Sequence, residues 1–253
     1  MSRPKRLLVL DIGNTSVTAG LYHNGHVTHV HRVVETRDRN LAASDKLLQL
    51  KKQYDFSDCI ICSVVPKLNA NWCKVVRGWT GKKPILLSYK TPLPINITFP
   101  DPASIGADRL ASACGAFARY GAPCIVIDIG TAMTFDVVQV GDGYVGGIIA
   151  PGLPLMFDYM AEKTALLPHI GPMKLKRSIG KSTQEAMRIG ALLGYRGMVR
   201  EMLQEVKLEL GVRRVTVVAT GGYSKWVIPD LDAKIIIDDD LALFGLGSIY
   251  NQQ

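Results

Sequence analysis

Two short stretches carry the residue types that phosphate chemistry needs. The first is "LVLDIGNTSVTAGLY", Leu8 to Tyr22, and the second is "IVIDIGTAMTFDVVQV", Ile125 to Val140. In each, an aspartate ends an apolar run, where its carboxylate can reach a divalent cation through water. Gly13 permits a tight turn and lets the backbone approach a phosphate with no Cβ in the way. Asn14, Thr15, Ser16 and Thr18 place donors around that turn. Asp128, Gly130, Thr131 and Thr134 repeat the plan. Two such turns facing each other would cradle a polyphosphate from both sides, and phosphoryl transfer needs mainly positioning and charge neutralisation. Ordinary hairpins with glycine turns are the plainer account, but the coincidence covers sequence and context together.

Better-known phosphate motifs do not fit. "SIGKST" ends like a P-loop, yet the earlier glycine that loop requires falls at Leu175. "GDGYVG" (Gly141, Gly143, Gly146) satisfies a dinucleotide fingerprint in letters only, because strand rather than helix follows it. It reads as a hairpin. "VVATGG", Val217 to Gly222, is a buried strand ending in two glycines, a turn against which a flat nucleoside could lie.

The elements that must position these residues alternate in kind. A β-meander is expected over Leu7–Leu10, Val17–Tyr22 and His26–Val34, then a polar helix over Leu41–Gln53, the strand "CIICSVVP", a helix from Lys67 and the strand "PILLS". The proline-bearing segment Tyr89–Gly106 is extended, since each proline fixes its own φ and biases the residue before it. The helix "ADRLASACGAFARY" leads to the second copy: "CIVIDIG", "MTFDVVQV", "YVGGIIAPG", a long helix after "GKST", the strands "RVTVVATGG" and "AKIIID", and a final helix. Strands alternating with helices predict an α/β layer fold. The repeat predicts a duplication at domain scale: residues 1–120 with the first phosphate loop and the substrate segment, residues 121–253 with the second loop and the nucleoside turn.

Composition narrows the setting. With 47% hydrophobic and 21% charged residues in 253, the chain can bury an ordinary core. No apolar run spans a bilayer, and the four apolar residues before Asp11 are too few for a secretory segment, so a soluble cytoplasmic protein without membrane contact is expected. The net charge of +8 is scattered apart from "RPKR", Lys51–Lys52 and "KLKR". That pattern suits small anions better than nucleic acid. Five cysteines argue against a disulfide framework. Cys59 and Cys62 lie in a buried strand with only Cys73 following, which reads as structure rather than zinc. His23, His26, His29 and His31 crowd a hairpin around Asn24-Gly25, either solvated or metal-binding.

Together the motifs resemble the type III pantothenate kinases of the acetate and sugar kinase/Hsp70/actin superfamily: "DIGNT", "SVVP", "GADR", "DIGTAMT", "GGIIAPG", "EKTALLP", "GKST" and "TGG" come in that family's order. The resemblance implies two similar ribonuclease-H-like (actin-like ATPase) domains with a cleft between them. It implies ATP-dependent phosphorylation of pantothenate to 4′-phosphopantothenate, the first step to coenzyme A, with Mg²⁺, a monovalent cation such as K⁺ or NH₄⁺, and a homodimer. On it, Asp11, Gly13, Asn14, Thr15, Ser16, Thr18 and Thr131 contact ATP, with Asp11 near Mg²⁺ through water. Phe99, Gly106, Ala107, Asp108, Arg109 and Thr183 contact pantothenate, Asp108 is the base, and Asp128 ligates the monovalent cation.

Each assignment has a local counterpart. Asp108 falls in the first turn of a helix, where the dipole favours any carboxylate. A low pKa is expected of it there, hence a weak base that orients the hydroxyl and takes the proton late. Arg109 offers a bidentate fork to a carboxylate, or joins a surface ion pair. "STQE" matches a capping box with Ser182 at N-cap and Glu185 at N3, compatible with Thr183 as a ligand. Gly190, Gly194 and Gly197 open a flat helix face, for packing within one subunit or against another. Phe99 replaces the tyrosine the family often has, which keeps the packing and loses the hydroxyl. Two other functions stay open: a superfamily kinase with another acceptor, and a non-catalytic transcription accessory regulator.

Overall fold

The computed structural model describes residues 6–34, 41–231 and 233–253, and their side chains except at 34 and 41–46. The basic residues at 3–5 lie outside these. Among the described residues there are two five-stranded sheets, and each grows from one "DIG" copy.

The first sheet has the order β3-β2-β1-β4-β5. It contains β1 (Arg6–Ile12), β2 (Ser16–His23), β3 (His26–Val34), β4 (Phe56–Ser63) and β5 (Ile85–Leu86), with α1 (Leu41–Gln53) and α2 (Pro66–Thr80) between strands. β1 pairs antiparallel with β2 and parallel with β4. Central and covered on both faces, it has Leu7 through Leu10 all buried, as a near-continuous apolar run requires. On α2, Pro66 starts the helix without losing a needed amide, and Leu68, Trp72 and Val76 form the buried stripe.

The second sheet reads β10-β9-β6-β7-β8. It is built from β6 (Cys124–Ile129), β7 (Ala132–Gln139), β8 (Gly143–Pro151), β9 (Thr216–Thr220) and β10 (Ile236–Ile237). Again the first strand pairs antiparallel with its hairpin partner and parallel with the later strand. With β6 in the place of β1, the order is the same. These are the two ribonuclease-H-like sheets expected. α4 (Leu153–Lys163), α5 (Thr183–Leu210) and the short α6 (Ser224–Val227) accompany this sheet. α4 goes beyond the sequence reading, where Pro154 hides its start; proline is tolerated in a first turn.

The two compact units are not contiguous in sequence. One comprises residues 1–121, 141–145 and 240–253, the other 122–140 and 146–239. The final helix, α7 (Leu241–Tyr250), therefore joins the first unit instead of the C-terminal half. It packs on α3 (Ala107–Tyr120) and on β1, β2 and β4. Arg119 anchors it, stacking 3.9 Å from the Phe244 ring centroid and bonding Asp240 at 3.0 Å.

The histidine hairpin turns at Asn24 (φ 47°) and Gly25 (φ 77°), with His23 opposite His26. His29 stacks on Tyr54 with centroids 4.0 Å apart. No group of three or more potential metal-ligating side chains forms among the described residues. All five cysteines are free thiols, with Cys59 and Cys62 buried in β4.

Candidate active site

In the first unit, Asp11 stands at the end of β1, opposite Thr18 on β2 and beside Cys62 on β4. The turn closes through Gly13, whose amide donates to the Ser16 carbonyl at 2.9 Å. Asn14 and Thr15 are exposed at its tip, and the Ser16 hydroxyl accepts from Arg32 Nε at 3.1 Å. The Asp11 carboxyl is pushed up to about 6 by burial and by the charge of Asp108, against the Cys62 thiol bond and Arg32, which favour the anion. The residue as a whole is half-buried.

Asp108 enters this arrangement from the first turn of α3. Its Oδ1 accepts from the Arg109 amide at 2.8 Å, the local bond expected of a carboxylate at a helix start. Its pKa nevertheless corrects the sequence expectation: burial raises it above the ordinary value, outweighing the amide and the Arg109 charge. A dipole contribution is small beside the desolvation of a crowded carboxyl. Asp108 is thus a better base than its helical position suggests.

Arg109 and Phe99 meet around Tyr144. The guanidinium carbon of Arg109 is 5.9 Å from the Tyr144 ring centroid, and the Phe99 ring meets the same tyrosine edge-on at 6.2 Å and 80°. Gly106 is the N-cap of α3 and Ala107 its first residue, which carries the backbone of "GADR" past Asp108. So the structure brings Asp11, Asp108, Arg109 and Phe99 into one unit.

The second unit repeats the first loop in shorter form. Asp128 lies opposite Thr134 and beside Thr220. The Gly130 amide donates to the Ala132 carbonyl at 3.0 Å, closing a turn one residue shorter than that at Gly13. Thr131 is exposed, and its carbonyl accepts from Gly152 at 3.0 Å. Gly221, from the "TGG" turn, crosses this loop with φ +90°; a Cβ there would meet Asp128 Oδ1 at 2.3 Å. Only glycine fits. Tyr195 on α5 is buried, and that burial, with the charge of Asp128 second, raises the phenol pKa. Nothing in the spacing of Tyr195 pointed to it, nor to Cys62 or Arg32; the only usable signal was Cys62 ending the strand "CIIC".

Thr183 opens α5 in this second unit and is exposed. The capping box forms, with Ser182 Oγ accepting from the Glu185 amide at 3.2 Å. Its return bond is displaced by one residue: Glu185 Oε2 accepts from the Lys181 amide at 2.7 Å. Arg177 adds an ion pair to Glu185 at 3.2 Å. On the glycine face, a Cβ at Gly190, Gly194 or Gly197 meets nothing within 4 Å among the described residues. Packing within the subunit therefore does not explain that face.

Each unit thus presents a strand-end aspartate followed by a glycine turn, and in the first unit the charge of Asp108 also acts on Asp11. Magnesium fits the first: a like-charge pair is relieved by a divalent cation, and Mg²⁺ is usually held by one or two carboxylates, water and substrate phosphates. A monovalent cation fits the second, where the carboxylate of Asp128 and the carbonyls of the Gly130–Thr131 turn supply only oxygen.

Comparison with known proteins agrees with this chemistry. The family model for type III pantothenate kinase matches residues 7–205. A type III pantothenate kinase of Akkermansia muciniphila is 41% identical over 239 residues, covering 94% of this chain and 96% of the relative. Among solved structures, a protein from Campylobacter jejuni described as a Baf family transcriptional activator aligns with a TM-score of 0.61 at 17% identity, over 96% of this chain and 97% of its own. An inorganic polyphosphate/ATP-glucomannokinase from an Arthrobacter strain aligns with 0.51 at 13%, over 98% and 100%. At such identities these two likenesses concern the fold alone.

Proposed function

Because the chain belongs to the type III pantothenate kinase family, we propose the following division of labour for its reaction. The protein is a kinase that transfers a phosphoryl group from ATP to pantothenate, the first step towards coenzyme A. The observation that carries the assignment of roles is that the charge of Asp108 reaches the buried carboxyl of Asp11 within one unit.

The turn Gly13–Ser16 and Thr18 take the phosphates of ATP through backbone and hydroxyl donors, and Thr131 does so from the second loop. Asp11 holds Mg²⁺ through water; the ion, when bound, neutralises charge on the transferring group. Asp108 accepts the proton of the pantothenate hydroxyl at its free carboxyl oxygen, while Oδ1 stays fixed by the Arg109 amide. Burial makes that carboxylate basic enough to take the proton as the bond to phosphorus forms. Arg109 receives the pantothenate carboxylate. Gly106 and Ala107 bring the backbone alongside the substrate, Phe99 packs on it and Thr183 bonds it. Asp128 holds K⁺ or NH₄⁺.

The enzyme works as a homodimer. Supporting this are the unoccupied glycine face of α5 and exposed apolar side chains on and after α4, including Tyr159 (64% exposed) and Leu166 (90%). Such a face is costly to leave in water. Its place is the cytoplasm, where both substrates are made available. No helix among the described residues is long and apolar enough to cross a membrane.

Phosphate transfer to a panel of acceptors, pantothenate among sugars and short carboxylic acids, tests the substrate in K⁺ and in Na⁺ buffers. Transfer confined to pantothenate and faster in K⁺ is the expected result. A sugar accepted in preference would move the protein to another branch of the superfamily. Salt-sensitive DNA binding at near-physiological ionic strength, without transfer, would favour the regulator.

A further inference from the structure

The segment Gly141–Val145 reads in sequence as a hairpin of the second domain, yet it belongs to the first unit. Its attachment is specific. The Tyr144 amide donates to the Asn96 carbonyl at 2.9 Å, and the Tyr144 carbonyl accepts from the Thr98 amide at 3.0 Å. Asn96 Nδ2 donates to the Gly141 carbonyl at 3.2 Å. Gly143, at φ +72°, lies so close to Asn96 that a Cβ would come within 2.2 Å of its carbonyl oxygen. These contacts fix Tyr144 on the segment that carries Phe99, and the residue is 1% exposed.

A buried tyrosine in this place would be unremarkable packing if it met only apolar groups. It does not. One neighbour is the Phe99 ring edge, and another is the Arg109 guanidinium at 5.9 Å. An aromatic ring attracts a cation through its face, while a guanidinium donates its hydrogen bonds in its own plane. Arginine has many rotamers, and holding one of them lowers the entropy lost when the fork meets a carboxylate.

From this geometry we infer that Tyr144 is a positioning residue for pantothenate: its ring holds the Arg109 guanidinium in the pose that receives the substrate carboxylate. The inference rests on the reading of Arg109 given above. It assigns a role to a residue of "GDGYVG", the stretch whose glycine pattern carries no dinucleotide site.

The test compares pantothenate with pantothenyl alcohol, in which a hydroxymethyl group replaces the carboxylate. Tyr144→Leu should raise KM for pantothenate by roughly 5- to 30-fold, the range of a partly desolvated cation–π contact. Its kcat and its KM for ATP should stay within about 2-fold, and its KM for pantothenyl alcohol should not move. Tyr144→Phe keeps the ring and should restore the KM. In an Arg109→Ala background the leucine change should add less than about 2-fold, because the group it acts through is gone. If the leucine variant does not fold, Tyr144→Met fills the same space without a ring and takes its place. Equal weakening of both acceptors, or full multiplication of the two single effects, would overturn the inference and leave Tyr144 a packing residue. Wild-type protein that transfers nothing to pantothenate would instead overturn the parent reading and this one with it.

Discussion

Asp11, the proposed holder of Mg²⁺, weakens the fold that carries it. In the absence of metal and nucleotide its carboxyl titrates at about 6, against 3.8 for an ordinary aspartate, because burial and the Asp108 charge disfavour the anion. Between those values the folded chain binds more protons at this residue than the unfolded chain. Its contribution to stability therefore declines as pH rises through that window and stays low above it. At about 1.4 kcal/mol per pH unit, the ionised carboxyl costs the fold about 3 kcal/mol near neutrality, a ceiling because the residue as a whole is only half-buried. Asp11→Asn removes the charge and keeps the shape, while a less favourable bond to Cys62 offsets about 1 kcal/mol of the gain. The net stabilisation is about 1–2 kcal/mol, or roughly 2–8 °C in Tm for a chain of this size. Thermal unfolding in EDTA, at about pH 7.5 and about pH 4, reads this directly. The variant should be the more stable at the higher pH, and most of its advantage should vanish at the lower, although its kinase activity is lost. A variant less stable than wild type near neutrality, or an advantage undiminished at about pH 4, would refute the reasoning.

Asp108 must be ionised to accept a proton and its pKa is raised by burial, so kcat/KM should fall as pH drops through a value above the ordinary carboxylate range. A pH–rate profile without that acid limb would remove Asp108 as the base. Gly221→Ala combines a left-handed φ with overlap on Asp128 and the Ile129 backbone. It should destabilise by about 2–4 kcal/mol, seen as a lower denaturant midpoint, and should weaken cation activation as well. Tyr159→Lys with Leu166→Asp puts charge on two exposed apolar positions, and sedimentation should find a dimer for wild type and a monomer for the variant.

The local structure around the candidate site was largely legible in the letters. The apolar run before each "DIG", the glycine and the hydroxyls after it define strand, turn and strand, and the register does place Asp11 and Asp128 opposite Thr18 and Thr134. The capping box at Ser182 was readable because it is local. What could not be read depends on contacts far apart in sequence. The burial that raises Asp108 comes from elements that its own helix does not encode. Tyr144 joins Arg109 only because Asn96 and Thr98, 48 and 46 residues away in sequence, capture its backbone. The final helix is apolar on nearly every face, which predicts burial without saying on which sheet.

The most direct measurement of the central claim follows the γ-phosphoryl group of labelled ATP onto pantothenate, with Mg²⁺ and K⁺, for wild type and for Asp108→Asn with unchanged thermal stability. The account predicts labelled 4′-phosphopantothenate from wild type, and a rate lower by about 10²- to 10⁴-fold in a variant that still binds pantothenate. Transfer by Asp108→Asn at the wild-type rate, or none by folded wild type, would contradict it.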